Sequence, residues 1–441
     1  MVWLKIGFIN FGGPAGQIAL MHKMLVVERK WLSESRFLHA LNYCMLLPGP
    51  EAQQLAVYIG WLMHKTWGGL VAGVLFVLPG FLLILAISMA YVSYGEQPWL
   101  QGLLFGMQAA TLAIVLEALL RLGKRALKQR WLYSISALAF VAICAFAMPF
   151  PLVIIAAALI GLICAKFAPR ALATAAANGP AHGPANAIEN ATENDIEPSQ
   201  AKPSLRWLCT VLGVGLLLWA TPVLLLLVYL GPDHVFTQEA LFFSKMSVVT
   251  FGGAYAVLTY VSQQAVQQYG WLSPAEMVQG LALAETTPGP LILVLTYVGF
   301  LGAYRSPGGL DPMFAGILGA TLSTWVTFVP CFLWIFLGAP YIERLRGNRW
   351  LNATLSVITA AVVGVIANLS LWFALHVCFG EVGVWRGGMG LAVPMPSLHS
   401  VNLAAVVLSA IALLAMFRFH VGLMRTLLLC AVLGLGLKVG F

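Results

Sequence analysis

Three short motifs occur twice in this chain at one spacing. Phe11-Gly12-Gly13, Trp31-Leu32-Ser33 and Pro48-Gly49-Pro50 return 240 residues later as Phe251-Gly252-Gly253, Trp271-Leu272-Ser273 and Pro288-Gly289-Pro290, and Lys5 returns as Lys245. A duplication kept in register over three motifs constrains the fold strongly, because both halves must use the same broken elements. Each half sets Gly-Gly and Pro-Gly-Pro inside apolar sequence. Helix breaks at corresponding places of two halves point to a membrane carrier built from structural repeats.

Composition supports a membrane setting. Hydrophobic residues make up 60% of the chain and charged residues 9%, with a mean hydropathy of +0.88, too little charge to cover a water-facing surface. Stretches long enough to span, at roughly 20 residues, lie near 68–94, 99–120, 207–230, 313–338, 351–378 and 421–441. Shorter or broken ones lie at 1–22, 37–63, 131–148, 150–167, 241–264 and 401–417. The net charge of +8 comes from Lys and Arg in short loops between apolar segments, the pattern of cytoplasmic orientation signals rather than a nucleic-acid site. The first apolar stretch contains Lys5 and has no Ala-x-Ala site, so no cleaved leader is expected there. The seven cysteines are scattered without Cys-x-x-Cys spacing, which implies neither a disulfide framework nor a metal site.

The Ala/Asn/Gly/Pro/Glu-rich stretch after residue 170 reads as a linker. The expected domains are an N-terminal repeat over 1–170, a flexible cytoplasmic linker over 171–206, a connecting transmembrane helix over 207–235 and a C-terminal repeat over 236–441. Beyond Pro-Gly-Pro the repeat continues at an offset of 251, pairing Pro79 with Pro330 and Trp99 with Trp350, so about eleven extra residues sit between Tyr297 and Pro330. Basic residues at 23–36, 121–130 and 166–170 place those loops in the cytoplasm. The second half inverts this bias, since 263–276 lacks Lys and Arg whereas 340–349 is basic. The halves are therefore expected to have opposite topology. Parity between 23–36 and 121–130 asks the Pro-Gly-Pro segment, 37–63, to enter and return as two half-helices. The same count makes the Gly-Gly segments re-entrant and gives roughly nine crossings with four hairpins; a rival count in which every segment spans gives about thirteen. The fold class is all-α and polytopic, with two homologous, inverted-topology halves.

The stretch from Phe8 to His22, with Asn10, Phe11-Gly12-Gly13-Pro14 and Gln17, followed by Arg36 to Leu55 with Pro48-Gly49-Pro50-Glu51 and Gln53-Gln54, resembles the chromate ion transporter family, in its long, two-domain form. The resemblance covers both halves and is strongest over 1–125 and 240–300. It implies an inner-membrane carrier that exports chromate and confers chromate resistance, with sulfate as the related oxyanion, and it implies no cofactor.

Chromate and sulfate are tetrahedral dianions, whose hydration shell a carrier must replace with donors that still permit release. Half-helix N-termini supply such donors, and irregular backbone at membrane depth is tolerated where it lines a cavity. The candidate substrate-binding set is Lys5, Asn10, Gly12, Gly13, Pro14, Gln17, Pro48, Gly49, Pro50, Gln53, Gln54, Lys245, Gly252, Gly253, Pro288, Gly289 and Pro290. The glycines allow close backbone approach, and the prolines end one half-helix and suit the first turn of the next. The competing reading is kinking and small-residue packing. Lys5 and Lys245 either meet an anion or snorkel to an interface. Polarity is concentrated in the first half: the counterparts of Asn10, Gln17, Gln53 and Gln54 are Thr250, Val257, Leu293 and Val294. One acid flanks each Pro-Gly-Pro, Glu51 after the first and Glu285 before the second. Both are proton-coupling candidates, with helix capping as the alternative.

Other classes remain in view. The sequence has no His-Glu-x-x-His pair, no phosphate-binding Gly-x-x-x-x-Gly-Lys-Ser/Thr loop and no Cys/His cluster, which argues against an intramembrane enzyme or an ATP-driven pump. An oxyanion uptake carrier and an anion channel use the same helix-end chemistry and stay open. So does the oligomeric state, a homodimer included. A membrane potential contributes ~2.3 kcal/mol per charge per ~100 mV, hence ~4.6 kcal/mol for a dianion. An interior-negative cell therefore expels chromate, and proton coupling is a separate question.

Overall fold

The computed structural model describes residues 2–167, 204–251, 253–341 and 349–439. Most of the 171–206 linker and most of the basic loop at 340–349 lie outside these residues, as does Gly252. Sixteen α-helices are found among the described residues. The first half carries α1 (Val2–Ile9), α2 (Gly13–His22), α3 (Glu34–Cys44), α4 (Glu51–Tyr94), α5 (Pro98–Ala126), α6 (Arg130–Phe146) and α7 (Phe150–Phe167). The second carries α8 (Leu205–Leu230), α9 (Val235–Val249), α10 (Ala254–Ser262), α11 (Pro274–Thr286), α12 (Val294–Arg305), α13 (Pro312–Gly338), α14 (Arg349–Cys378), α15 (Leu403–Phe417) and α16 (Leu423–Val439).

The repeated motifs fold alike. Both α2 and α10 run into a six-residue π-turn, Lys23–Glu28 and Gln263–Gln268. The chain then reverses at equivalent residues with positive φ, Lys30 at 52° and Gly270 at 64°. Each reversal is closed by the tryptophan amide, Trp31 N–H donating to Leu25 O and Trp271 N–H to Ala265 O, both at 2.8 Å. The serine that follows caps the next helix. Ser33 Oγ accepts from Arg36 N at 3.4 Å, and Ser273 forms a reciprocal capping box with Glu276, whose Oε2 takes the Ser273 N–H at 2.9 Å.

Pro-Gly-Pro is flanked by short helices. The helices before it, α3 with 11 residues and α11 with 13, fall well below the roughly 20 residues a span needs. Helix α4 is interrupted at His64 (φ −139°, ψ 29°) and Lys65 (φ 55°, ψ −146°), and its arms, 51–63 and 66–94, fold back on each other. A Cβ on Gly68 would strike Gly60 O, and one on Gly60 would lie 2.6 Å from Ala72 Cβ. Residues eight apart in one straight helix are ~12 Å distant along the axis, so this is a helical hairpin. In the second half α12 and α13 make the same hairpin, with a Cβ on Gly299 falling 2.8 Å from Gly319 O. Gly319 matches Gly68 at the offset of 251, and the extra residues form the longer Ser306–Asp311 corner.

Among the described residues six helices are long and apolar enough to cross a membrane: α4, α5, α7, α8, α13 and the 353–378 part of α14. The chain is an all-α polytopic membrane protein of two halves. Between α14 and α15 the described residues also form an antiparallel hairpin of β1 (Val382–Arg386) and β2 (Ala392–Pro396), foreseen by no periodicity.

The helices group into two compact units, each drawing on both repeats. One contains α1–α3, α4 to Leu85, α8, α9, α12 and α13. Within it Trp325 Nε1 donates to Leu218 O at 2.8 Å, tying α13 to α8, and Trp219 Nε1 donates to Ser244 Oγ at 3.0 Å, tying α8 to α9. The other unit contains the end of α4, α5–α7, most of α10, α11, α14 from Ala353, α15 and α16. It is assembled by small-residue contacts: a Cβ on Gly102 would lie 2.9 Å from Leu435 Cα, and one on Gly161 2.6 Å from Thr354 Cα. Such close backbone approach is how helices associate where lipid removes the hydrophobic drive.

Candidate functional site

The breaks of the two repeats cross. Gly49 N–H donates to Thr250 O, and Gly289 N–H donates to Asn10 O, each at 2.9 Å. Gly49 and Gly289 are equivalent positions, as are Asn10 and Thr250, so each Pro-Gly-Pro bonds the residue just before the other half's Phe-Gly-Gly. Packing repeats the exchange. A Cβ on Gly49 would lie 2.9 Å from Cys331 Sγ, and one on Gly289 3.3 Å from Gly80 Cα. Cys331 and Gly80 follow the matched mid-helix prolines Pro330 and Pro79. Gly49 (φ 125°) and Gly289 (φ 108°) hold left-handed backbone, which glycine adopts at no steric cost. The crossing is thus a pseudo-twofold joint made of main chain, and it is enclosed: Gly49, Pro50 and 288–290 are buried.

Side chains break this symmetry. Gln17 Nε2 donates to Gly289 O at 2.6 Å, and Gln54 Nε2 donates to Pro48 O at 2.7 Å. In the second half Val257 stands for Gln17, and Leu293 Cδ1 lies 2.8 Å from where a Gly289 Cβ would be, the place Gln54 takes beside Gly49. A 3₁₀ turn at Leu291–Leu293 shifts that register by one residue relative to α4. Asn10 and Gln53 are 0% exposed, yet neither atom of either amide has a hydrogen-bond partner, and Gln17 Oε1 and Gln54 Oε1 are also unmet. A buried unpaired polar group costs about 1–3 kcal/mol, so the unmet atoms of these four side chains carry a cost that no contact in the fold offsets. At the start of helix α2 the N-cap, Gly12 (φ 88°), carries no capping side chain, and Pro14 occupies the first turn. Gly13 and Gly253 are left-handed as well, at 69° and 97°.

Not every expected residue belongs to this joint. Lys5 and Lys245 are exposed on α1 and α9 and make no ion pair among the described residues. Glu51 opens α4, half-buried, beside Gln53 and Gln54. Glu285 ends α11 in the other compact unit, where Tyr255 Oη donates to its Oε1. There Glu117 pairs with Arg121 on its own helix, an intrahelical contact. Gly80, Thr250 and Cys331 were not singled out from the sequence. Gly80 and Cys331 sit beside the repeated prolines, which is the one signal that could have found them.

Broken backbone enclosed by protein among apolar helices long enough to span, and shared between two halves, fits a multi-span membrane protein of the repeat-built class. The chain belongs to the chromate transporter family, whose model matches residues 1–162 and 237–435. It is 31% identical over 418 residues to the chromate transport protein of Pseudomonas aeruginosa, covering 92% of this chain and 89% of that one. It is 28% identical over 368 residues to the chromate transport protein of Cupriavidus metallidurans, covering 83% and 80%. It is also 28% identical over 370 residues to a probable chromate transport protein of Synechococcus elongatus, covering 83% and 81%. No solved structure matches the chain.

Proposed function

We propose that this protein exports chromate across the inner membrane and so confers chromate resistance, with the dianion seated at the crossing of the two helix breaks. The observation that carries the reading is the set of buried, unpartnered amides of Asn10 and Gln53 beside Gly49 and Gly289, in a chain of the chromate transporter family. In the bound state these amide N–H groups and the uncapped start of α2 meet the chromate oxygens, replacing water without a fixed cation. A neutral donor set suits a carrier, because it binds a dianion without the deep well that a buried lysine would create. Sulfate has the same charge and shape and enters the same seat.

The repeats, 1–170 and 236–441, stand in opposite orientation, linked through 171–206 and a connecting helix over 207–235. The reversal of loop charge between the halves supports this arrangement, as does the reciprocal bonding of equivalent residues. Membrane potential drives export. The direct test is flux of labelled chromate and sulfate in vesicles of known orientation, with pH and potential varied independently. Saturable chromate flux accelerated by an interior-negative potential is expected; flux that neither saturates nor responds to potential rejects the reading.

A further inference from the structure

Glu239 lies in α9 between the chain reversal at 231–234 and the exposed Lys245. Its side chain is 0% exposed, and neither carboxyl oxygen has a hydrogen-bond partner. It faces small residues of the α12–α13 hairpin: a Cβ on Gly319 would lie 3.0 Å from Glu239 Oε2, and Gly319 is packed on Gly299 and Ala303. The helices packed on α9 are α8, α12 and α13. Their titratable groups are Arg206, Cys209 and Tyr229 on α8, Tyr297, Tyr304 and Arg305 on α12, and Cys331 on α13; Asp233, His234 and Asp311 stand in the adjoining turns. None of them bonds either carboxyl oxygen. An ionised carboxylate removed from water without a donor costs several kcal/mol, so in this closed arrangement the group holds its proton. Because it makes no hydrogen bond, it contributes nothing to the fold that a neutral isostere would not.

Its position gives a proton a short route. Glu239 is four residues inside the start of α9 at Val235, ~6 Å along the axis. The His234 ring packs against Gly308 in the corner joining α12 to α13. In the orientation proposed above, that end of the unit faces the periplasm.

We propose that Glu239 is the proton-carrying group of a chromate/proton exchange. Its carboxylate takes a proton from the periplasmic side as chromate leaves and releases it to the cytoplasm on the return, so that one proton enters per dianion exported. This rests on the transport reading. It differs from the roles open to Glu51, which opens a helix at the anion seat, and to Glu285, which accepts a tyrosine hydroxyl.

The full chain in liposomes with a trapped pH dye tests it. Wild type is expected to acidify the lumen when loaded chromate flows out, whereas Glu239→Gln loses that acidification and retains chromate/chromate exchange, which needs no net proton. Wild-type chromate flux without proton movement, or a Glu239→Gln protein that still acidifies the lumen, overturns the assignment alone. A wild type that moves no chromate overturns the transport reading and this assignment with it. A second measurement uses wild type only. Dicyclohexylcarbodiimide, which attacks protonated carboxyls in apolar surroundings, is expected to modify Glu239, located by mass spectrometry, and chromate is expected to slow the labelling. An unmodified Glu239, or labelling indifferent to chromate, also overturns the proposal.

Discussion

Gln53 offers a way to separate folding from the proposed function. Because both atoms of its amide are buried and unmet, Gln53→Leu removes a group whose desolvation costs about 1–3 kcal/mol, and the protein is expected to melt at the same temperature or higher. Chromate flux should nonetheless fall. A melting scan in detergent paired with vesicle flux checks this, and unchanged flux would assign the amide no part in the seat. The glycines divide by what surrounds them. At Gly12 an added Cβ meets nothing within 4 Å, so Gly12→Ala carries only the left-handed backbone cost of roughly 1–2 kcal/mol; it should keep membrane abundance while losing export. At Gly49 the Cβ would also press Gln54 Nε2, 2.7 Å away, and Cys331. Gly49→Ala should therefore lower abundance as well, as quantitative blotting of membranes would reveal. Glu51 opens α4, where a negative charge satisfies the helix start and, at the proposed seat, would compete with an incoming dianion. Glu51→Gln should still bind chromate, with the pH dependence of its flux reduced to the part that Glu239 supplies. A pH profile identical to wild type would make Glu51 a structural cap.

The telling element is the hairpin inside α4. Hydropathy reads 37–63 and 68–94 as separate apolar stretches, and parity asks the first to return on itself; the chain reverses at His64 and Lys65, between the two. The corner is strained, since Lys65 holds φ 55° with ψ −146°, a region that costs a non-glycine residue about 1–3 kcal/mol. Lys65→Gly should therefore raise the melting temperature without changing chromate flux, an outcome read by thermal scanning in detergent. The second repeat avoids this strain by spending its additional residues on the Ser306–Asp311 corner. That difference was legible as a change of offset from 240 to 251, although not as a release of strain. The β1–β2 hairpin was not legible, because its residues carry neither the alternation of a half-buried strand nor a two-residue turn signal. Glu239 escaped for another reason: counting back 240 residues from it runs past the first residue, so a comparison of the halves had nothing to set beside it.

Over the whole molecule, inversion of the repeats makes a topological prediction. Reporter tags at 23–36, 121–130 and 340–349 should report the cytoplasm and a tag at 263–276 the periplasm; the first and last of these on one side would refute opposite orientation. The two repeats, the polytopic class and the positions of the breaks could all be read along the chain, because period, motif spacing and loop charge are local quantities. So could the concentration of polar side chains in the first half, since duplication supplies an internal reference for every position. Which break meets which could not. The bonds from Gly49 to Thr250 and from Gly289 to Asn10 join main-chain atoms more than 200 residues apart, and backbone hydrogen bonding leaves no mark on residue identity beyond permitting glycine. Whether a buried amide is satisfied is likewise a property of its surroundings. Asn10, Gln53 and Glu239 acquire their meaning from the partners that packing withholds from them.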